Sequence, residues 1–279
     1  MRSPSLLLAA LLALVPVACG DDGAEDGQPP PSTEEAVPAP PAALGEEDEV
    51  VVVGHRGAAG HHPDNSLEGF AAARDLGATW VELDVRLSSD REVVLSHDPE
   101  TETGTVVADA SADELSAEGV PTLDEALDVI DEHALGADVE IKSLPTEEGY
   151  DPSLAMVDAT VAVLEERSPV GPVLVSSFDP LALDRVRELA GDDFDTVFIT
   201  SGIGGAEDLA ATMVDGGHDG LAVGDPGLPA EVVATFTAAG LPVWAWTVDD
   251  PAVARRLVDR GVTGIITDLP DVISETLAG

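Results

Sequence analysis

The sequence predicts an α/β protein built as a (β/α)₈ barrel of the TIM type, for three reasons. Strand-like and helix-like patterns alternate from residue 50 to the end of the 279-residue chain, and there are eight of each. Eight such units in about 230 residues match this barrel in number and length. The glycine-rich nucleotide-binding turn typical of doubly wound sheets is absent from the sequence.

The predicted strands are short, rich in valine and isoleucine, and flanked by glycine, proline or aspartate, as buried parallel strands are. They cover 50–53, 79–84, 138–142, 173–176, 195–199, 220–223, 242–247 and 263–267. The helices are predicted over 66–76, 122–133, 153–167, 180–190, 206–214, 229–239, 251–260 and 270–277. A further strand is predicted over 92–96 and would form a β-hairpin with the second barrel strand. Residues 99–121 are expected to form an irregular excursion over the barrel mouth.

The first 18 residues resemble a signal peptide, because Arg2 precedes an apolar run that is too short for a transmembrane helix. The only cysteine, Cys19, follows this run and excludes an intramolecular disulfide. Its position resembles a bacterial lipobox, although Pro16 departs from that pattern. We expect a lipid anchor on Cys19 at the outer face of the cell membrane, and the alternative is ordinary cleavage and secretion.

Residues 19–49 are predicted to form a disordered linker, because they contain ten acidic residues, several prolines and no basic residue. The predicted barrel domain, residues 50–279, still contains 45 acidic against 11 basic residues. Such a charge repels nucleic acid and excludes it as a partner class. The large excess of acidic residues beside a single lysine, Lys142, indicates either adaptation to high salt or a GC-rich genome. The net charge does not distinguish these two explanations. The sequence leaves the oligomeric state open.

Polar residues stand at the ends of three successive predicted strands, which is where such barrels carry their active sites. The three groups are His55-Arg56, then Glu82 and Asp84, then Glu140 and Lys142. A carboxylate on a strand usually lies on a face that is exposed to solvent, and a single histidine at a strand end is more often a loop residue than a catalyst. Because all of these polar residues are expected at the same end of the barrel, a functional site is favoured over these explanations.

The three carboxylates would repel one another at low dielectric and therefore need a cation. Oxygen ligands without a thiolate favour Ca²⁺ or Mg²⁺ as this cofactor. Arg56 and Lys142 are suited to hold phosphate oxygens. His55 and His97 are candidates for an acid–base pair, because imidazole titrates near neutral pH.

The ordered set of motifs resembles the glycerophosphodiester phosphodiesterase family over residues 50–273. The motifs are Gly54-His55-Arg56-Gly57, Pro63-Asp64-Asn65-Ser66, Glu82-Leu83-Asp84-Val85, His97-Asp98, Pro121-Thr122-Leu123-Asp124-Glu125-Ala126, Glu140-Ile141-Lys142, Ser176-Ser177-Phe178-Asp179-Pro180, Trp246-Thr247-Val248 and Gly264-Ile265-Ile266-Thr267-Asp268-Leu269-Pro270.

The resemblance implies a barrel enzyme that hydrolyses a glycerophosphodiester, such as glycerophosphocholine or glycerophosphoethanolamine, to sn-glycerol 3-phosphate and an alcohol. By position it implies Glu82, Asp84 and Glu140 as ligands of a divalent cation. It likewise implies His55 and His97 as the catalytic acid and base, in either order, and Arg56 and Lys142 as the cations that contact phosphate. The nucleophile is either water or the 2-hydroxyl of glycerol.

Two further expectations concern the loops at this barrel end. Asn65 is expected to cap the first helix, with Glu68 as its capping-box partner, so that residues 63–66 serve as structural support. Trp246 and Phe178 are expected to wall the substrate site, where an indole can contact a choline-like cation. His61, His62, His133 and His218 are expected to be ordinary loop or helix-end residues.

Two alternatives stay open at this point. One is a related barrel phosphodiesterase that acts on intact or lyso-phospholipids as a phospholipase C or D does. The other is a non-catalytic lipoprotein that binds phosphodiesters, although a binding module would not need both histidines.

Overall fold

The computed structural model describes residues 39–44, 50–144, 146, 150–167, 169, 171–224 and 227–279. The predicted signal peptide, residues 1–18, and most of the predicted linker lie outside the described residues. No helix within this part of the chain is both long enough and apolar enough to cross a membrane.

The predicted eight-stranded barrel is present, and one antiparallel strand is added to it. The strands are β1 (Val51–Gly54), β2 (Trp80–Leu87), β3 (Val93–Leu95), β4 (Gly136–Ile141), β5 (Val173–Ser177), β6 (Asp195–Thr200), β7 (Gly220–Val223), β8 (Val243–Ala245) and β9 (Gly264–Thr267). All strands except β3 pair in parallel in chain order. The pairing of β1 with both β9 and β2 closes the barrel.

The α-helices alternate with these strands, as the periodicity predicted. They are α1 (Leu67–Ala73), α2 (Ala112–Ser116), α3 (Leu123–Glu132), α4 (Ala155–Glu166), α5 (Pro180–Ala190), α6 (Ala206–Gly216), α7 (Ala230–Ala238), α8 (Pro251–Val258) and α9 (Pro270–Ala278). Several starts have a clear local cause. Asp179 and Asp250 cap α5 and α8 just before a first-turn proline, and Thr122 with Glu125 forms a capping box on α3.

The hairpin after β2 is also present, because β3 pairs antiparallel with β2. The excursion beyond it is more regular than expected. A 3₁₀ turn covers Val107–Asp109, and α2 follows it. The prediction of an irregular 99–121 was therefore wrong over these residues. Ser111 and Glu114 form a reciprocal capping box that stabilises the start of α2.

The two-residue repeat of the strands separates an outer core from the barrel interior. On β2, Val81, Leu83 and Val85 pack under the helices, while Trp80 packs inside the barrel. Trp80 meets Trp244 edge to face, with ring centroids 5.5 Å apart. This pair fills the interior near the amino ends of the strands, on the side away from the polar strand ends.

Gly136 and Gly264 make room for the two indoles. A Cβ atom at Gly136 would lie 2.3 Å from Trp80, and one at Gly264 would lie 2.3 Å from Trp244. Leu44, which falls within the predicted linker, also packs against this interior cluster. The apolar interior is therefore completed by a residue that precedes the first strand.

Candidate active site

The candidate site lies at the carboxyl ends of β1, β2 and β4, where strand pairing brings three carboxylates together. Asp84 on β2 is the register partner of Glu140 on β4, and Glu82 precedes Asp84 by two residues on the same inward face. All three residues are buried, and one oxygen of each lies within 4.8 Å of the others. The structure therefore brings together the acidic residues that the sequence singled out.

Asn65 holds Asp84 from the loop before α1. Its Nδ2 donates to Asp84 Oδ2 at 2.8 Å, and its Oδ1 accepts from the Asp84 backbone N–H at 3.0 Å. The expectation that Asn65 caps α1 was wrong, because Ser66 is the cap and accepts from the Gly69 N–H. Asn65 instead adopts φ = 54°, a left-handed conformation that asparagine tolerates.

Arg56 and Lys142 surround the carboxylates on two sides. The Arg56 backbone N–H donates to Glu82 Oε2 at 2.8 Å, and its guanidinium lies 3.4 Å from Asp84 Oδ2 and 2.5 Å from Asp64 Oδ2. Lys142 Nζ lies 2.8 Å from Glu140 Oε1 and 3.2 Å from Asp84 Oδ1. Asp64 therefore orients Arg56 in addition to its expected supporting role in the turn.

Burial and mutual repulsion dominate the electrostatics of the cluster. Burial, with further repulsion from Asp84 and Glu140, holds the pKa of Glu82 well above its usual range. Burial opposes the charge on Lys142, but Glu140 and Asp84 outweigh it and raise the pKa of the ammonium group. Lys142 is therefore a fixed positive charge beside three crowded acids.

The carboxyl oxygens fit a hard divalent cation. Glu82 Oε1 and Asp84 Oδ1 are buried and have no hydrogen-bond partner within the described residues. The donor set contains oxygen atoms alone, which suits Ca²⁺ or Mg²⁺ better than a thiophilic metal. The three acids could therefore hold a metal ion.

His55 is held at the end of β1 by two acidic residues from the last two barrel units. Its Nδ1 lies 2.6 Å from Asp268 Oδ1, which leaves Nε2 on the side of Glu82, at 3.9 Å. Asp268 is held in turn by Asp249, whose carboxylate accepts from the Asp268 backbone N–H and from the Thr267 hydroxyl, both at 2.9 Å. The sequence reasoning assigned no role to Asp268 or Asp249.

His97 follows β3 and is more exposed than His55. Its Nδ1 lies 2.8 Å from Asp98 Oδ1, and its backbone carbonyl accepts two hydrogen bonds from the Arg86 guanidinium, at 2.6 and 3.1 Å. Burial and the neighbouring Lys142 charge lower the pKa of His97, against the attraction of Asp84. The neutral imidazole is therefore favoured at neutral pH.

Asp138 is a third acidic residue to which the sequence assigned no role. It lies inside the barrel on β4, two residues before Glu140, and accepts a hydrogen bond of 2.5 Å from the Ser176 hydroxyl. Burial raises the pKa of Asp138 to about 7. The two-residue alternation of the strand was the signal that could have found it.

The two histidines and the two aromatic residues line one cavity of about 130 Å³, together with Arg56, Glu82, Glu140 and Lys142. Phe178 and Trp246 meet edge to face there, with centroids 5.6 Å apart. Trp244, which lies on β8 two residues before Trp246, packs in the buried interior. Phe178 and Trp246 therefore form part of the wall of this cavity.

The remaining histidines with described contacts lie outside this cavity. His61 pairs with Asp271 at 2.9 Å, His133 bonds the Val129 carbonyl, and His218 lies beside Thr196. None of them lines the cavity.

Comparison with known proteins gives a consistent result. The model of the glycerophosphoryl diester phosphodiesterase family matches residues 55–272. A glycerophosphodiester phosphodiesterase of Bacillus subtilis is 27% identical over 257 residues, which are 81% of this chain and 85% of that protein. One from Caldanaerobacter subterraneus is 26% identical over 243 residues, which are 78% of this chain and 94% of that protein.

Solved structures resemble the barrel over most of its length. A phosphodiesterase of Oleispira antarctica in complex with the product sn-glycerol 3-phosphate has a TM-score of 0.74 and 27% identity, over 82% of this chain and 97% of that chain. A glycerophosphodiester phosphodiesterase of Thermotoga maritima has a TM-score of 0.67 and 27% identity, over 82% and 99% respectively.

Proposed function

Since this chain belongs to the glycerophosphoryl diester phosphodiesterase family, whose enzymes hydrolyse glycerophosphodiesters, we propose that it releases sn-glycerol 3-phosphate from glycerophosphocholine or glycerophosphoethanolamine. One observation carries the proposal: two histidines, two cations and three buried acids line or adjoin a single cavity. These groups can supply the proton transfers and the positive charge that hydrolysis of a phosphodiester uses.

Glu82, Asp84 and Glu140 would hold Ca²⁺ or Mg²⁺, and Glu82 Oε1 and Asp84 Oδ1 have no hydrogen-bond partner among the described residues. When bound, such a cation supplies positive charge that stabilises the phosphoryl oxygens in the transition state. Asn65 keeps the Asp84 carboxylate in one orientation through its two hydrogen bonds.

The chain's own residues would carry out the proton transfers. One of His55 and His97 removes the proton of the attacking water or glycerol 2-hydroxyl, and the other protonates the oxygen of the departing alcohol as its bond to phosphorus breaks. Asp268 and Asp98 hold the Nδ1 atoms of these two imidazoles, so each Nε2 is available for the transfer. Arg56 and Lys142 bind the non-bridging phosphate oxygens.

Phe178 and Trp246 would pack against the substrate in the cavity that they line. The choice between water and the glycerol 2-hydroxyl as nucleophile predicts different first products. A cyclic glycerol phosphate would appear early in the reaction if the 2-hydroxyl attacks.

The test is the release of sn-glycerol 3-phosphate from glycerophosphocholine, measured with and without a chelator. We expect activity that is lost with the chelator and restored by Ca²⁺ or Mg²⁺. His55→Ala and His97→Ala should each lower kcat by about 100-fold or more, since general acid–base catalysis contributes about 10²- to 10⁴-fold. His61→Ala is the matched control, because His61 lies in the same loop region but bonds Asp271 outside the cavity.

The same assay separates the alternatives. Release of choline or phosphocholine from lysophosphatidylcholine or sphingomyelin, without turnover of glycerophosphocholine, would replace the proposal with a phospholipase D- or C-like activity. Binding of glycerophosphocholine without turnover in the presence of either cation would replace it with a binding protein.

We also propose that the enzyme is anchored to the outer face of the cell membrane through a lipid on Cys19. The small-residue–cysteine junction after an apolar run and the acidic, proline-rich segment that follows support this location. Expression of the full chain and of Cys19→Ser tests it. The full chain should partition into detergent and the variant into the aqueous phase, and equal partitioning of both would contradict the anchor.

A further inference from the structure

A second and larger cavity adjoins the candidate site at the same end of the barrel. Its volume is about 350 Å³, within the range of small-molecule sites. The hairpin after β2, the excursion around the 3₁₀ turn, the residues after β4 and the start of α4 form its walls. The apolar side chains that define it are Leu87, Val106, Ala108, Leu144, Leu154 and Met156.

Two residues connect this cavity to the proposed phosphate site. Lys142 lines both cavities. Arg86 lines the larger cavity and donates two hydrogen bonds to the backbone carbonyl of His97, a residue that lines the smaller cavity. A phosphate beside Lys142 and His97 therefore lies next to both cavities.

Apolar atoms form most of the lining of the larger cavity, and the rest of its wall carries charged residues, among them Arg91, Glu100 and Asp151. The hydroxyl of Ser88 donates to Asp90, and that of Ser143 donates to Asp179. Val106 is 37% exposed, which places it among the few large apolar side chains exposed in the described chain. Apolar surface held open beside a polar active site favours a ligand with an apolar group.

The two arms of a phosphodiester match the two cavities. In every glycerophosphodiester one arm is glycerol, which is small and constant, while the other alcohol varies. A constant three-carbon arm suits the cavity of about 130 Å³ beside Phe178 and Trp246, and a variable arm needs the larger one.

We propose that the larger cavity binds the alcohol arm of the substrate and favours alcohols that carry an aliphatic chain. This inference rests on the proposed glycerophosphodiesterase activity and names its preferred substrate class. The chain of the alcohol would contact Leu87, Val106 and Met156, while the scissile bond stays beside His97 and Lys142.

A series of sn-glycero-3-phospho-n-alkanols with ethyl, butyl and octyl groups tests the proposal. KM should fall along the series by up to about fourfold for each buried methylene, until the cavity is full. Ala108→Trp should remove this gain, because the indole would occupy the cavity from an exposed wall position, so KM should rise more for the octyl diester than for the ethyl diester. Ala252→Trp, on the exposed first turn of α8, is the matched control.

A second measurement uses the free alcohol. 1-Octanol should inhibit the wild type and the Ala252→Trp control but not the Ala108→Trp variant, whereas ethanol should inhibit none of them. A KM that is independent of chain length, or an equal loss on all diesters in Ala108→Trp, would overturn the inference. Failure of the proposed function is a different result, namely that no diester, including glycerophosphocholine, releases glycerol phosphate.

Discussion

The hydrogen bond between Asp268 and His55 should contribute to turnover more than to stability. Asp268 Oδ1 lies 2.6 Å from Nδ1, and this contact is the main cause that lowers the pKa of Asp268, so the group is a carboxylate at neutral pH. Asp268→Ala would remove the acceptor and leave the imidazole free to rotate or change tautomer. In the proposed mechanism, His55 would then present Nε2 to the substrate less often.

The expected loss of transition-state stabilisation follows from how far the Asp268 side chain is buried. A hydrogen bond to a charged group contributes about 1.5–3 kcal/mol, and the 36% exposure of the Asp268 side chain lowers this to about 1–2 kcal/mol. Such a loss in the transition state reduces kcat by about 5- to 30-fold. Asp98 makes the equivalent contact with His97 but is 75% exposed, so Asp98→Ala should cost about twofold.

Steady-state hydrolysis of glycerophosphocholine by the two variants, with a thermal melt of each, measures this difference. Asp268→Ala should lower kcat with little change in KM, and its melting temperature should fall by less than about 4 °C. Asp268→Asn keeps an acceptor for the Nδ1–H and should recover part of the loss. A kcat for Asp268→Ala within about threefold of the wild type, or equal losses in both alanine variants, would refute the positioning argument.

Four further outcomes follow from the same geometry. Ca²⁺ or Mg²⁺ at about 100 times its Kd should raise the melting temperature by about 5–10 °C, and Glu82→Gln should abolish this shift in differential scanning fluorimetry. Asn65→Ala should cost about 2–4 kcal/mol in denaturant unfolding, because Asp84 loses two hydrogen bonds and alanine is strained at φ = 54°. Since burial raises the pKa of Asp138 to about 7, this group alone should contribute about 4 kcal/mol of stability that is present below about pH 4 and lost as the pH rises to about 7, and Asp138→Asn should remove this part of the pH dependence in denaturant unfolding of chelator-treated protein. Because the net charge is −43, raising KCl from about 0.1 M to about 1 M should raise the melting temperature by about 3 °C or more, and an unchanged value would contradict adaptation to salt.

The sequence predicted the barrel and the inward-facing acids because both follow from local rules. Buried strands have a two-residue repeat, and barrel sites lie at strand ends, so Glu82, Asp84 and Glu140 could be placed without any tertiary information. The same repeat places Asp138 inside the barrel. Its hydrogen bond could not be predicted, because the partner, the Ser176 hydroxyl, is known only once β4 and β5 are paired.

The contacts that hold the site could not be predicted, because their partners are distant in the chain. Asn65 carries a side chain that can cap a helix or support a left-handed turn, and only the fold shows that Asp84 is its partner. Asp268 is 213 residues from His55, and the two meet because β1 and β9 pair where the barrel closes. The short helix α2 differs, since its Ser111–Glu114 capping box was readable in the sequence.

The apolar interior and the acidic cluster are parts of one arrangement. Trp80 and Trp244 fill the barrel below the site, so water cannot approach the carboxylates from the amino ends of the strands. Burial is accordingly the largest cause of the raised pKa values of Glu82 and Glu140, and it makes their mutual repulsion costly. A divalent cation would relieve this cost, which Lys142 and Arg56 compensate only in part. Because the two indoles keep water out of the barrel interior, the carboxylates repel one another strongly, and relief of this repulsion would contribute to the free energy of metal binding.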